Sequence, residues 1–202
     1  MTRLPAGTLR EALIDTDAIA DNVRHVRRLT SSNVIAVVKA DGYGHGAVRS
    51  AVAALAGGAS RIGVADIGEA LALRRAGIDA PILAWLHAPG ASFTDAVAHG
   101  IELGISSMDQ LVAAAAASAA RPALVQLKVE TGLGRNGLAA ADLPTVFAEA
   151  ARLERIGRLR VVGIFSHLSN TSEADDRAAL ARFHETLALA ARLGLTPPLT
   201  HI

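Results

Sequence analysis

The stretch VVKADGYGHG, residues 37–46, decides the reading of the fold. An apolar, β-branched run (VIAVVKA, 34–40) reaches a lysine, passes through a Gly-rich segment and enters AVRSAVAALA (47–56), whose composition favours a helix. Strand, turn and helix in that order make one βα unit. Working outward, the unit recurs. Strand-like runs follow at RIGVA (61–65), PILAWL (81–86), IELGI (101–105), ALVQLKV (123–129), VVGIF (161–165) and LTHI (199–202). Helical segments lie between them at 66–76, 107–120, 145–156 and 174–193, each long enough to cross back over a sheet. Gly77, Gly100 and Gly194 stand where a helix end needs positive φ. Asp66 with Glu69 three residues on reads as a capping box.

About seven such units without a long crossover or linker favour a closed (β/α)8 TIM-type barrel over an open doubly wound sheet. A barrel needs eight strands. The expectation is therefore one barrel domain over residues 1–202, incomplete at about seven strands and cut before the eighth.

Composition narrows the function. The 202 residues are 51% hydrophobic and 19% charged, with 20 Lys+Arg against 19 Asp+Glu, so the chain is a folded globular protein rather than a disordered one. No basic block and only six aromatics, counting Trp, Tyr and Phe, leave little for nucleic acid. The longest uncharged stretch, 80–94, carries Pro81, Pro89 and Gly90 and is too short to span a bilayer. With no Cys and no apolar core in residues 1–20, a cytoplasmic protein working on small molecules is expected.

In a barrel the chemistry sits at the C-terminal strand ends. The first strand ends at Lys39, followed by Tyr43, Gly44, His45 and Gly46. A lysine embedded in an apolar strand is desolvated, which favours the neutral amine that a nucleophile or base requires; the competing reading is a lysine that reaches solvent at the strand tip. Backbone N–H groups of the Gly-rich loop and the Tyr43 hydroxyl are candidate phosphate donors, although glycine after a strand is also ordinary turn chemistry. The fifth strand ends QLKVETGLGRNG, which clusters Lys128, Glu130 and Arg135. Lys128 and Glu130 share a face by alternation, and a plain Lys–Glu pair is one reading of them. Ser166 and His167 end the sixth strand and His201 the seventh. The histidines show no metal-binding spacing and no serine sits in a GxSxG elbow, so no metal is expected. Two lysines, an arginine and a Gly-rich loop point to an anionic or carbonyl-bearing ligand.

The motif VVKADGYGHG resembles the cofactor-lysine segment of the alanine racemase family, barrel enzymes that use pyridoxal 5′-phosphate. IDTDAIADNVRHVR (14–27), GEALALRRAGIDAPIL (68–83), LKVETGLGRNG (127–137), GIFSHLSN (163–170) and PLTHI (198–202) resemble further family segments in the same order. The resemblance implies a two-base interconversion of L- and D-alanine, supplying D-alanine for peptidoglycan, by a cytoplasmic homodimer. It implies that Lys39 holds the cofactor covalently and acts as one base, and that Tyr43 bonds the cofactor phosphate. Arg135 would lie near the substrate carboxylate, Lys128 would be the position many members carry as a carbamate, and His167 would support the other base from behind. Trp85 would pack beside the cofactor ring or simply fill the core. Glu130 and Leu133 stand where the family usually has Asp and often Met. The family's second base, a tyrosine from a C-terminal β domain of the partner subunit, is expected to lie outside these residues, which would leave the 202-residue chain inactive alone. The alternatives are a non-catalytic pyridoxal phosphate homeostasis protein, whose loop after the lysine differs, and an inactive fragment.

Overall fold

In the computed structural model, which describes residues 9–202, the chain runs α1 (Thr16–Leu29), β1 (Ile35–Val37), α2 (Lys39–Tyr43), α3 (Ala47–Ala56), β2 (Arg61–Val64), α4 (Ile67–Arg75), β3 (Ile82–Ala84) and α5 (Thr94–Ala98). It continues through β4 (Glu102–Ile105), α6 (Met108–Ala116), β5 (Ala123–Lys128), α7 (Leu143–Arg155), β6 (Leu159–Phe165), α8 (Glu173–Arg192) and β7 (Leu199–His201). Seven parallel strands pair in sequence order, β1 beside β2 through to β7. Each crossover carries helix on the same side, so the sheet curls into an incomplete TIM-type barrel with β1 and β7 as its edges among the described residues.

The strands and the main crossover helices lie where the periodicity places them, with ends shifted by a few residues. Besides α2, whose backbone is left-handed, two helices are absent from that reading. The five residues of α5 are too few to show a period, and α1 fully buries only Ala20, so its sequence looks like surface. The cap at Asp66 forms, with Oδ1 accepting from Glu69 N at 2.9 Å, but the reciprocal half of the expected capping box does not. Glu69 instead takes the Ala65 and Ala40 N–H groups on its two carboxylate oxygens, each at 2.7 Å. One acidic side chain thus ties the start of α4 to the turn after β1.

Alternation along the strands separates two faces. Ile62, Val64, Ile82, Leu103, Ile105 and Ile164 are fully buried against the helix layer, where Leu73, Leu111 and Phe147 meet them. Arg61, Gly63, Glu102, Gly104, Gln126 and Lys128 occupy the opposite, concave face. Between β5 and β6 the register slips at Val125/Gln126, with Val162 as the extra residue, which brings Gly163 opposite Gln126 and Phe165 opposite Lys128.

Candidate active site

β1 stops at Val37, and the chain turns at once into a left-handed segment. Ala40, Asp41, Gly42 and Tyr43 have φ of 52°, 52°, 64° and 54°. Each non-glycine residue there costs roughly 1–2 kcal/mol, so the segment requires support from outside its own backbone. Glu69 supplies it by accepting from Ala40 N, and Asp41 Oδ1 accepts from Ala47 N at 2.7 Å at the entry to α3. Gly42 has a second reason to lack a side chain: a Cβ there would come within 2.8 Å of Ser50 Oγ.

This conformation decides between the paired readings of Lys39 and of the Gly-rich loop. Lys39 is exposed at the tip, and its Nζ lies 5.9 Å from the Tyr43 ring centroid, so the desolvated strand setting is not the one it occupies. The backbone N–H groups of Gly44, His45 and Gly46 are consumed within the turn, by Ala40 O, Gly42 O and Asp41 O, leaving the Tyr43 hydroxyl as the donor the loop can offer.

The strand ends surround a cavity of about 690 Å³, within the range of small-molecule sites. Lys39, Tyr43, Lys128, Arg135 and His167, drawn from three separate segments, all line it, as does Trp85. Trp85 fits because β2 has no side chain beneath it: a Cβ on Gly63 would stand 2.3 Å from the indole. His87 also lines the cavity, its ring edge-on to Phe93 at 4.9 Å, and burial holds its pKa down at about 4.

The electrostatics are cationic. Lys128 is buried at 8% exposure and its Nζ lies 5.2 Å from the Phe165 ring centroid. Desolvation and the neighbouring Arg135 charge bring its pKa down to about 8, against a smaller opposing effect of Glu130. The Lys128–Glu130 pair, one of the two readings of these residues, is not formed. Glu130 turns back onto its own loop and accepts from the Gly132 N–H. Burial works against that carboxylate, but the N–H groups of Gly134, Gly132 and Leu133, with Lys128, outweigh it and hold Glu130 below the usual range. His167 is lowered first by desolvation and then by the charges of Arg135, Lys128 and Lys39, so three cations act on one imidazole. Ser166 is structural: its Oγ donates to Val129 O at 2.9 Å and lies 2.6 Å from Thr131 Oγ1, locking the end of β6 to the loop after β5.

Below the cavity lies a chain of side chains that the sequence reading missed. Arg61 Nε and Nη2 donate to the two carboxylate oxygens of Glu102, each at 2.9 Å. Gln126 Nε2 donates to Glu102 Oε2, and Gln126 Oε1 lies 2.8 Å from His201 Nε2. The signal was present: RIGV and ELGI each place one polar residue at inward parity within an apolar run, with glycine two residues on, and VQLK places Gln126 there beside Lys128.

An incomplete barrel with a lysine on a left-handed turn and a cationic cavity at its strand ends defines a class: a TIM-type barrel protein whose strand-end cavity matches an anionic small molecule in charge. The family model described as "Alanine racemase, N-terminal domain" matches residues 14–202, and the chain belongs to that family. The alanine racemase of Thermobifida fusca is 50% identical over 198 residues, which cover 95% of this chain and 53% of that protein. The crystal structure of alanine racemase from D-cycloserine-producing Streptomyces lavendulae superposes with a TM-score of 0.90 at 39% identity, over 94% of this chain and 51% of that one. The alanine racemase of Streptomyces coelicolor A3(2) also gives 0.90, at 40% identity, over 94% and 52%. The chain thus spans about half the length of the relatives it matches.

Proposed function

We propose that residues 1–202 form the pyridoxal 5′-phosphate-holding barrel domain of an enzyme that interconverts L- and D-alanine. The observation that carries this reading is the convergence of Lys39, Tyr43, Lys128, Arg135 and His167 on one cationic cavity, in a chain of this family. The residues suit the group. An exposed primary amine, a phenol and a guanidinium line a cavity large enough for cofactor and amino acid together, and the positive charge matches a phosphate and a carboxylate.

When bound, the cofactor supplies an electron sink that acidifies the substrate Cα–H. Lys39, held at the cavity by the Glu69-clamped turn, is the group that moves the proton at Cα on one face. Tyr43 donates to a phosphate oxygen, and Arg135 orients the substrate carboxylate. Lys128, whose lowered pKa leaves about a tenth as free amine at pH 7, adds to carbon dioxide through nitrogen and loses a proton; the resulting carbamate turns its repulsion of Arg135 into attraction. His167 supports the opposite face from behind. The resemblance implies a tyrosine of the partner subunit as the base on that face, and in this reading Tyr43, the one tyrosine among these residues, is engaged at the phosphate. Supply of D-alanine for peptidoglycan is the corresponding role in a cytoplasmic setting.

The test is alanine racemisation by the full-length protein with added pyridoxal phosphate, beside Lys39→Ala. Conversion of L- to D-alanine that is lost in the variant supports the reading. A folded, cofactor-loaded protein that leaves alanine unchanged overturns it.

A further inference from the structure

The concave face holds one imidazole whose proton position can be deduced from its neighbours. Glu102 already takes two N–H bonds from Arg61, and a carboxylate so engaged has only lone pairs to offer. The Gln126 amide that reaches Glu102 Oε2 must therefore present its NH2 group there. Its carbonyl oxygen then faces the other way, towards His201 Nε2 at 2.8 Å. A carbonyl oxygen accepts only, so Nε2 carries the hydrogen. His201 lies face to face with Phe165, at a centroid separation of 4.7 Å and an interplanar angle of 8°, which fixes the ring plane.

We propose that Gln126 is a positioning residue: anchored by the Arg61–Glu102 pair, it holds His201 as the Nε2–H tautomer, so that Nδ1 is a hydrogen-bond acceptor at the cavity. Reach is the geometric requirement. Gln126 stands on β5 and His201 on β7, so the amide has to pass over β6, and it does so at Gly163. A Cβ on Gly163 would lie 2.7 Å from Gln126 Oε1 and 2.9 Å from its amide carbon. Gly163 has no positive φ; space is the reason for it. Desolvation and the charges of Arg61 and Lys128 keep the ring neutral, with a pKa down at about 4, so the tautomer rather than the protonation state is the variable at neutral pH. Whatever meets His201 from the cavity must bring an N–H or O–H.

The assignment stands apart from the proposed racemase activity, because the experiment uses neither cofactor nor substrate. The full-length protein, labelled with 15N at histidine, is read by long-range 1H–15N correlation, and the His201 signals are identified by their loss in His201→Gln. The expected wild-type result is an N–H-type shift at Nε2, an acceptor-type shift at Nδ1 and a downfield Nε2–H proton line protected from exchange with water. In Gln126→Met and in Gly163→Ala, the second leaving the amide chemistry intact but displacing it, that proton line disappears. A proton on Nδ1 in the wild type, or an unchanged line in Gln126→Met, overturns the proposal. The wild-type spectrum alone decides the tautomer should either variant fail to fold.

Discussion

The two faces of the same seven strands obey different rules. The convex face carries Ile62, Ile82, Leu103, Ile105 and Ile164, all without solvent exposure, against helices that bring Leu73, Leu111 and Phe147. Any apolar side chain of suitable volume satisfies such a face. Opposite it, one residue away along each strand, stand Arg61, Glu102, Gln126 and Lys128, with glycines at 63, 104 and 163. There Arg61, Glu102 and Gln126 each depend on a specific partner, and each glycine leaves room for a neighbour's side chain or backbone. The convex face provides the stability that lets the concave one hold charges together.

The sharpest break between the faces is Lys39→Ala. Lys39 is exposed, so the melting temperature is expected to stay nearly constant while the proposed racemisation by the full-length protein falls roughly 10⁴-fold. A large loss of stability would mean that Lys39 supports the turn. Phe147→Ala reverses the pattern: denaturant titration should show a loss of about 3–5 kcal/mol, with turnover per folded molecule unchanged.

A double-mutant cycle on Arg61 and Glu102 tests whether charges on the concave face count by partnership. Glu102→Ala alone is expected to cost about 3–5 kcal/mol because it strands a largely buried guanidinium, and Arg61→Ala with it should recover part of that loss. Simple additivity would show that the two do not act as a pair.

Acid titration separates the faces again, since the apolar one has nothing to protonate. His87 and His201 both have folded pKa values lowered to about 4, first by desolvation. Their neutral forms contribute stability that is complete above the unfolded value near 6.5 and is lost as pH falls towards 4, because the unfolded chain binds the protons more readily. The expected loss across that window is roughly 2–3 kcal/mol for each histidine, and His87→Phe should remove one share from a plot of unfolding free energy against pH.

The smallest effect is expected from Gly63→Ala. The new methyl group overlaps the Trp85 ring and costs about 1–3 kcal/mol as overpacking. The chain has one tryptophan, so its emission reports the displacement directly. An unmoved spectrum would show that β2, not the indole, gives way.

Much of this was legible in the chain, and the reason is local. The βα succession is written in hydrophobic period and Gly-bearing helix ends, both set within a few residues. Lys39, Tyr43, Lys128, Arg135 and His167 stood out because polar groups at the ends of apolar strands have few structural excuses. What stayed hidden depended on partners far along the chain. The left-handed turn at 40–43 is held by Glu69, 29 residues from Ala40, and so its internal use of the glycine N–H groups could not be read from GYGHG. Lys128 and Glu130 share a strand end, yet Glu130 satisfies itself on its own loop.

By itself the sequence determined the order of the strands and main crossover helices, the sidedness of each strand and the set of reactive side chains, because periodicity and residue type are properties of neighbours. Tertiary structure alone decided that Arg61, Glu102, Gln126 and His201 form one chain of contacts across β2, β4, β5 and β7. It also decided that Lys39 is exposed and Lys128 buried. Curling the sheet brings inward side chains of non-adjacent strands within hydrogen-bond reach, and that curvature arises from the packing of all the βα units together.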